Sequence, residues 1–138
     1  RPDRVVHFVG DRRVSFVCAR DMAAVGAEAL KRPDAHAGKT YPLAVEALTF
    51  AEVAQILSDV TGRPVDYRPR PAADLFPILQ KQGAEPAYAA SLAEGVAATE
   101  RGEMPLADAV FDTVEQVTGR KGTGWREFAE LHIREVPA

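Results

Sequence analysis

Few residues of this chain have the types and spacing that catalytic sites require. The three histidines, His7, His36 and His132, are far apart in the sequence, so they lack the spacing of zinc ligands. No Gly-x-Gly-x-x-Gly or Walker turn follows a predicted strand, and no Gly-x-Ser-x-Gly elbow occurs. No tyrosine is followed four residues later by a lysine. The residue patterns therefore indicate no catalytic residue, no metal site and no cofactor site in this chain.

A charged pair, Arg20 and Asp21, follows an apolar segment that is predicted to be a strand, residues 14–18. In α/β proteins, residues at the carboxyl end of a strand commonly contact ligands. The pair is therefore a candidate for substrate binding. In the alternative interpretation, Asp21 caps the following helix and Arg20 is solvated. The two interpretations are compatible.

The segment GRKGTGW, residues 119–125, has three glycines and two positive charges just before a predicted helix. Helix N-termini bind anions, and glycine-rich turns cradle phosphates there. A helix rather than a strand precedes this segment, however, which is unlike the known phosphate-binding patterns. A flexible turn between two helices is the favoured interpretation, and anion binding is the alternative.

The remaining candidates are a thiol, a histidine and several aromatic rings. Cys18 lies inside an apolar segment, which favours a buried structural thiol. His132 shares a predicted helix face with Trp125, which favours a packing role. Aromatic side chains can line a substrate pocket, although at helical spacing they more often belong to a core. The predicted substrate-binding residues are Arg20, Asp21, Phe76, Phe111 and Trp125.

Composition excludes several classes of partner. The net charge is -3 and no aromatic ladder interleaves with basic residues, so no nucleic acid is expected. No apolar run approaches the length of a membrane span. The single cysteine favours a reducing compartment. We expect a cytoplasmic protein in which residues 1–138 form a single domain.

Capping and turn signals predict the order of the elements. The clearest helix is LTFAEVAQILSDVTG, in which Thr49 and Glu52 form a capping box and Gly62 ends the helix. The apolar runs around Gly10 and Asp11 predict a hairpin, or a loop and a strand. Further strands are predicted over residues 39–45 and 65–70, and residues 32–39 are predicted to be a loop. Further helices are predicted over residues 21–31, 71–83, 86–101, 112–119 and 123–136.

The predicted fold class is α/β leaning to α+β, with five or six helices and three or four short, partly parallel strands. The strand at residues 14–17 is apolar on both faces, which is typical of a central parallel strand. The helix after it is rich in alanine. Small residues allow a helix to lie close to a partner, so this face is expected to be covered.

Three segments resemble the NmrA-like family, atypical members of the extended short-chain dehydrogenase/reductase group. VSFVCARDMAAVGAEAL is similar to the family's strand and Arg-Asp-hydrophobic-Ala junction. HAGKTYPLAVEALTFAEVAQILSDVTGRPVDY resembles its strand, capping box and Thr-Gly-Arg-Pro exit. FDTVEQVTGR with WREFAELH resembles its closing pair of helices. The resemblance covers roughly residues 14–132, and its motifs carry weight through their order and spacing.

The resemblance implies that this chain is the C-terminal, substrate-side part of a longer protein of the Rossmann type. The family's glycine-rich turn would lie upstream, so NAD(P) is implied for the full-length protein and no cofactor for this chain. The alanine-rich helix would pack on the parallel sheet of the upstream half. A small-molecule substrate would bind at the junction with that half.

Three functions stay open. The first is part of an NAD(P)-dependent oxidoreductase or isomerase, not catalytically competent alone. The second is a non-enzymatic redox sensor or regulator, which an upstream glycine-rich turn without a Tyr/Lys pair would favour. The third is a free-standing module that makes protein contacts. In the isolated chain the uncovered alanine face predicts a homo-oligomer.

Overall fold

The computed structural model describes residues 3–132, which group into two compact units. The first unit consists of residues 3–13 and 49–107, and the second of residues 14–48 and 108–132. Compact units of this size occur both as small domains and as parts of one larger domain. The single domain expected over residues 1–138 therefore stays a prediction.

The described residues form a mixture of helices and short strands, which confirms the mixed α/β class. They contain seven α-helices, one more than the upper predicted number, because residues predicted as loop form a single helical turn, α2. The elements are β1 (Asp3–His7), β2 (Val14–Phe16), α1 (Ala19–Lys31), α2 (Pro33–His36), β3 (Glu46–Leu48), α3 (Phe50–Thr61), β4 (Val65–Pro69), α4 (Leu75–Lys81), α5 (Pro86–Arg101), α6 (Thr113–Thr118) and α7 (Trp125–His132).

In the first unit, β1 and β4 pair in parallel, with Asp3 opposite Val65 and His7 opposite Pro69. Helix α3 packs against both strands and buries Val53 and Ala54. This parallel pair confirms that the strands are partly parallel. The predicted strand over residues 65–70 is confirmed.

Helix α3 begins and ends as its sequence predicts. The Thr49 hydroxyl accepts from the Glu52 amide, and the Glu52 carboxylate accepts from the Thr49 amide at 2.9 Å. Gly62 adopts a left-handed conformation with φ of 67°, which a side chain would strain. Since all of these bonds join near neighbours, the sequence pattern is sufficient to predict this helix.

Two titratable rings of the first unit are half-buried. His7 stacks on Phe50 with 3.9 Å between ring centroids, and its Nδ1 atom is buried without a hydrogen-bond partner among the described residues. Burial lowers the pKa of His7. The Tyr67 hydroxyl donates to the Gly10 carbonyl at 2.7 Å, and burial raises the pKa of Tyr67. The fold thus favours the neutral form of both rings.

Helices α4 and α5 complete the first unit. The Glu85 carboxylate caps α5 by accepting from the amides of Ala87 and Tyr88 at 3.0 and 2.8 Å. Ala89 is fully buried on α5, and Leu75 is buried on α4 after a short 3₁₀ turn, Ala72–Asp74. Both helices confirm their sequence predictions, although α4 begins four residues later than predicted.

In the second unit, β2 and β3 pair antiparallel, with Phe16 opposite Glu46. The expectation of a parallel strand at residues 14–17 is therefore wrong for the described residues, since the one strand paired with β2 runs the other way. The strand predicted over residues 39–45 is also wrong, because the ladder begins at Glu46. No hairpin forms around Gly10, since β1 and β2 pair with different strands.

Helix α1 packs against α6 and α2 and buries Val25. Its opposite face is exposed and consists of small or apolar residues at helical spacing. Leu30 is 85% exposed and Met22 is 45% exposed. The exposed face comprises Met22, Ala23, Gly26, Ala27 and Leu30. The described elements leave this face uncovered, so no covering sheet is found among residues 3–132.

Residues 133–136 of the last predicted helix lie outside the described residues. Among residues 3–132, no helix has the length and apolar character that crossing a membrane requires.

Candidate functional site

The side chain of Asp21 contributes to the candidate site by binding a distant segment of the chain. Helix α1 starts at Ala19, and Cys18, not Asp21, occupies the N-cap position. Asp21 is 1% exposed, and its carboxylate accepts from the Thr123 amide at 2.6 Å and from the Thr123 hydroxyl at 3.3 Å. The prediction that Asp21 caps its own helix is therefore wrong, because the side chain binds a segment 102 residues away.

A second carboxylate holds the next part of the same segment. Glu46, at the start of β3, accepts from the backbone amide of Trp125, the first residue of α7. Gly124 precedes this helix and has no side chain to act as a cap. A Cβ at Gly124 would lie 3.3 Å from the Glu46 carboxylate, so glycine permits the close approach. Glu46 thus supplies, from a distant strand, the acceptor that helix α7 lacks locally.

The segment also lies directly against the polypeptide before β3. A Cβ added at Gly122 would overlap the Val45 side chain. The Val45 amide donates to the Phe16 carbonyl at 2.8 Å, which ties this stretch to β2. Residues 122–125 are therefore fixed by three separate contacts, and the turn predicted at residues 119–125 is anchored rather than flexible.

Three aromatic rings converge beside this anchored segment. Trp125 lies edge-on to Phe16, with 5.5 Å between ring centroids and an interplanar angle of 87°. It also lies edge-on to Phe128 at 5.7 Å and 77°. The Phe128 ring in turn lies 4.5 Å from His132, in agreement with a packing role for that histidine. Such edge-to-face contacts fix ring orientations.

These rings form the walls of a cavity of about 250 Å³ within the second unit. Its polar groups are few: the Glu46 carboxylate, the Thr123 hydroxyl and the Cys18 thiol. The complete lining is Phe16, Val17, Cys18, Ala19, Glu46, Thr123, Gly124, Trp125 and Phe128. A concave, mostly apolar surface with a few convergent polar groups is the usual form of a small-molecule site. Its mostly apolar, aromatic lining suits an apolar ligand.

The geometry argues against the anion-binding alternative for residues 119–125. A phosphate or a dinucleotide pyrophosphate needs free backbone amides at a helix N-terminus. Here the Thr123 and Trp125 amides already donate to carboxylates. Two negative groups at the same place would repel a phosphate. This segment, the nearest to a phosphate loop in the sequence, therefore does not fit the pyrophosphate of NAD(P).

The other predicted site residues lie elsewhere. Arg20 is exposed on the first turn of α1. Phe111 belongs to the second unit but lines a different groove, beside Val45 and Val114. Phe76 belongs to the first unit, in a groove between α4 and α5. Of the five predicted residues, the structure brings Asp21 and Trp125 together: Asp21 binds Thr123, which lines the same cavity as Trp125.

Sequence reasoning missed Glu46, Phe16 and Phe128 as parts of the site. One signal was available for Glu46: the helix beginning at Trp125 has glycine in front of it and so has no local cap. A helix start without a capping side chain needs an acceptor from elsewhere. The sequence did not indicate which carboxylate would provide it. Within the described part of the chain, no group of three potential metal ligands occurs.

The sequence of this chain matches one known protein family over most of its length. The model of the NmrA-like family matches residues 3–129. The chain belongs to the NmrA-like family. The match includes both compact units and all three aromatic residues of the cavity wall.

Curated relatives of this NmrA-like chain include a protein named as a reductase. An NAD(P)H azoreductase from Xenophilus azovorans is 35% identical over 130 residues, which are 90% of this chain and 42% of the relative. Festuclavine synthase II from Penicillium roqueforti is 27% identical and matches 97% of this chain and 46% of its own length. The chain thus spans less than half the length of these relatives.

Solved structures share the fold. Triphenylmethane reductase from Citrobacter sp., solved with NADP(H), superposes with a TM-score of 0.71 at 27% identity, covering 93% of this chain and 44% of that chain. An NADPH-dependent quinone oxidoreductase from Escherichia coli, solved with NADPH, gives a TM-score of 0.70 at 24% identity, covering 95% of this chain and 45% of that chain. The second likeness bears on the fold alone.

Proposed function

We propose that this chain is the C-terminal, substrate-side part of an NAD(P)-dependent oxidoreductase, and that the cavity beside Trp125 receives an aromatic substrate. The observation that carries the proposal is a mostly apolar cavity with three aromatic walls in a member of this family. Flat rings gain both apolar burial and directional ring contacts in such a cavity.

The names of the relatives support the substrate class. One relative is an azoreductase, and a structural neighbour reduces triphenylmethane dyes, which carry phenyl rings by definition. An aromatic substrate therefore agrees both with the cavity lining and with what these proteins are named for.

The nucleotide is proposed to bind to a part of the full-length protein beyond this chain. In residues 119–125, the nearest approach to a phosphate cradle, the Thr123 and Trp125 amides are occupied by Asp21 and Glu46. We therefore assign no residue of this chain to the cofactor. The isolated chain is expected not to bind NADPH, and a saturable change in nicotinamide fluorescence at micromolar concentrations would contradict that expectation.

The substrate proposal can be tested with a natural reporter, because Trp125 is the single tryptophan of the sequence. 4-Hydroxyazobenzene is a neutral aromatic probe whose absorption overlaps tryptophan emission. Titration of the chain with this probe should quench Trp125 in a saturable way. Phe16→Leu removes one aromatic wall and should weaken binding about three- to tenfold.

Phe111→Leu is the matched control in the same unit, since Phe111 lines a different groove. It should leave the dissociation constant within about twofold of the wild type, a difference of well under 1 kcal/mol. Equal losses in the two variants, or no saturable quenching in the wild type, would overturn the proposed site.

The enzymatic part of the proposal needs the full-length protein encoded by the gene. Oxidation of NADPH or NADH that depends on an added azo compound would support it. Binding of the nucleotide without turnover of any aromatic acceptor would instead favour the sensor alternative.

A protein-contact function has one observation in its favour, the exposed apolar face of α1 that includes Leu30 and Met22. Uncovered apolar surfaces of this kind mark interaction sites. If the full-length protein still leaves Leu30 accessible to solvent, this alternative gains support. If the rest of the protein covers it, the face is an internal contact.

A further inference from the structure

Residues 122–125 are held from three directions by residues far away in the sequence. Gly122 lies against Val45, the Thr123 amide and hydroxyl donate to Asp21, and the Trp125 amide donates to Glu46. Three of these residues, Thr123, Gly124 and Trp125, supply part of the cavity wall. A turn that only connected two helices would not need two carboxylates on its backbone.

We propose that Asp21 and Glu46 are positioning residues whose carboxylates set the place of the Trp125 ring, and with it the shape of the cavity. The inference rests on the proposed function only in assuming that the cavity binds the substrate. The role of the two carboxylates in positioning the ring does not depend on that assumption.

The geometry explains how a backbone contact positions a ring. The bonds to the Thr123 and Trp125 amides restrict the backbone dihedral angles between them, and so fix the direction of the Trp125 Cα–Cβ bond. Edge-on contacts with Phe16 and Phe128 then select the orientation of the indole. A shift of the backbone at residue 125 would move the ring relative to Phe16, and small displacements in a binding site have large effects.

The surroundings of these two acceptors explain why they are carboxylates and not neutral groups. Hydrogen bonds to an ionised acceptor are shorter and stronger than neutral ones. Asp21 lies in the first turn of α1, and Glu46 contacts the first residue of α7, so each carboxylate is near the positive end of a helix dipole. The dipoles help to offset the cost of removing Asp21 from water.

The test compares Glu46→Ala with Glu46→Gln. Glutamine retains an acceptor oxygen for the Trp125 amide, whereas alanine does not. We expect Glu46→Ala to raise the acrylamide quenching of Trp125 and to weaken 4-hydroxyazobenzene binding about tenfold. Glu46→Gln should restore most of both properties. Rescue by glutamine is not expected if only the negative charge matters.

Glu130→Ala is the matched control, since Glu130 is an exposed carboxylate on the same helix as Trp125. It should leave both readouts as in the wild type. Unchanged Trp125 quenching and probe affinity in Glu46→Ala would overturn the inference, as would equal effects of Glu46→Ala and Glu130→Ala.

A measurement on the wild type covers the case in which a variant does not fold. The amide protons of Thr123 and Trp125 should exchange with solvent at least about tenfold more slowly than that of the exposed Lys121, equivalent to about 1.4 kcal/mol. They should also resonate downfield, because carboxylate acceptors deshield amide protons. Exchange as fast as that of Lys121 would overturn the inference without any substitution.

The two proposals fail in different ways. If the wild type does not bind 4-hydroxyazobenzene, the aromatic substrate is wrong, but amide exchange and acrylamide quenching still decide the role of the carboxylates. If the probe binds and the amides exchange rapidly, the cavity stands and the positioning role of Asp21 and Glu46 is wrong.

Discussion

The two compact units differ in how far away in the sequence the groups lie that satisfy their helix ends. In the first unit, helix ends are satisfied by near neighbours: Thr49 with Glu52, and Glu85 with the amides two and three residues on. In the second unit, the start of α7 is satisfied by Glu46, which lies 79 residues away, and the preceding turn by Asp21. These helix ends of the first unit are thus specified by short patterns, whereas the start of α7 in the second unit is specified by pairs of distant residues.

This difference has a consequence for function. Local caps stabilise an element wherever it lies, whereas a distant acceptor also fixes the position of one element relative to another. The candidate site occurs where such distant bonds are concentrated. Substitutions should therefore have unequal effects in the two units.

Asp21→Ala should have the largest effect on stability. It leaves the Thr123 amide and hydroxyl without their acceptor in a buried place, so we expect a loss of about 2–4 kcal/mol in the free energy of unfolding. Urea denaturation followed by Trp125 fluorescence measures it. Asp108→Ala, at an exposed position of the same unit, is the control and should change little. If Asp21→Ala lowers the free energy of unfolding by less than the loss of a helix cap does, distant acceptors do not stabilise the second unit more than local caps stabilise the first.

Leu30→Lys should reduce self-association of the isolated chain. We expect the chain to associate through the exposed face of α1, and a charge in place of Leu30 should weaken association by at least about tenfold. Sedimentation velocity over a concentration series measures this change. Leu92→Lys on α5 is the control, because Leu92 is only 38% exposed, compared with 85% for Leu30. A wild-type monomer at all concentrations would contradict the expectation.

Thr49→Ala should have a moderate, purely local effect. Loss of the cap of α3 should cost about 1 kcal/mol of unfolding free energy. Because this bond joins two residues at the start of α3, Trp125 emission of the folded variant should match that of the wild type. Thr40→Ala is the control, since Thr40 is exposed and outside the helices and strands. A changed Trp125 emission in Thr49→Ala would show that local caps also reach the second unit.

The smallest expected effect is a pH dependence from His7. Burial lowers its pKa below the ordinary value of 6.5, so the unfolded chain binds a proton more readily than the folded one. The stabilisation is complete above that ordinary value and is lost as pH falls through the lower, folded pKa. Urea denaturation between about pH 8 and about pH 5 should therefore show decreasing stability toward acid.

His7→Phe should flatten this dependence, because phenylalanine keeps the stack on Phe50 and cannot titrate. The remaining slope then belongs to other groups. If the wild type and His7→Phe lose the same stability over this range, the buried ring of the first unit does not contribute to the pH dependence.

Several elements could be predicted from the sequence because their determinants are close together. The capping box of α3, its glycine end and the strand after it lie within about twenty residues of one another, and apolar spacing reports the buried face. Helix α5 follows in the same way from Pro86, its alanines and Gly102, and the end of α6 follows from Gly119. The family resemblance also depended on the order of such local patterns, and the family match confirms it.

The errors share one physical cause. Asp21 was predicted to cap α1 because an Asp before a helix usually does so. The helix begins earlier than predicted, so Cys18 occupies the N-cap position, and the Asp21 carboxylate accepts from Thr123 instead. The strand predicted before Glu46 and the parallel pairing of residues 14–17 depended on partners that apolar patterns do not identify. Pairing between distant strands leaves no local signature.

Short sequence patterns were sufficient to predict most of the helices, the capping box of α3 and the family. They could not predict that two amides of a turn with the composition of a phosphate loop donate to carboxylates, or that Phe16, Trp125 and Phe128 line one cavity. The physical reason is the range of the interactions. A capping bond joins neighbours and can be recognised in a short stretch, whereas the bonds to Asp21 and Glu46 exist only after folding brings residues 79 and 102 positions apart into contact.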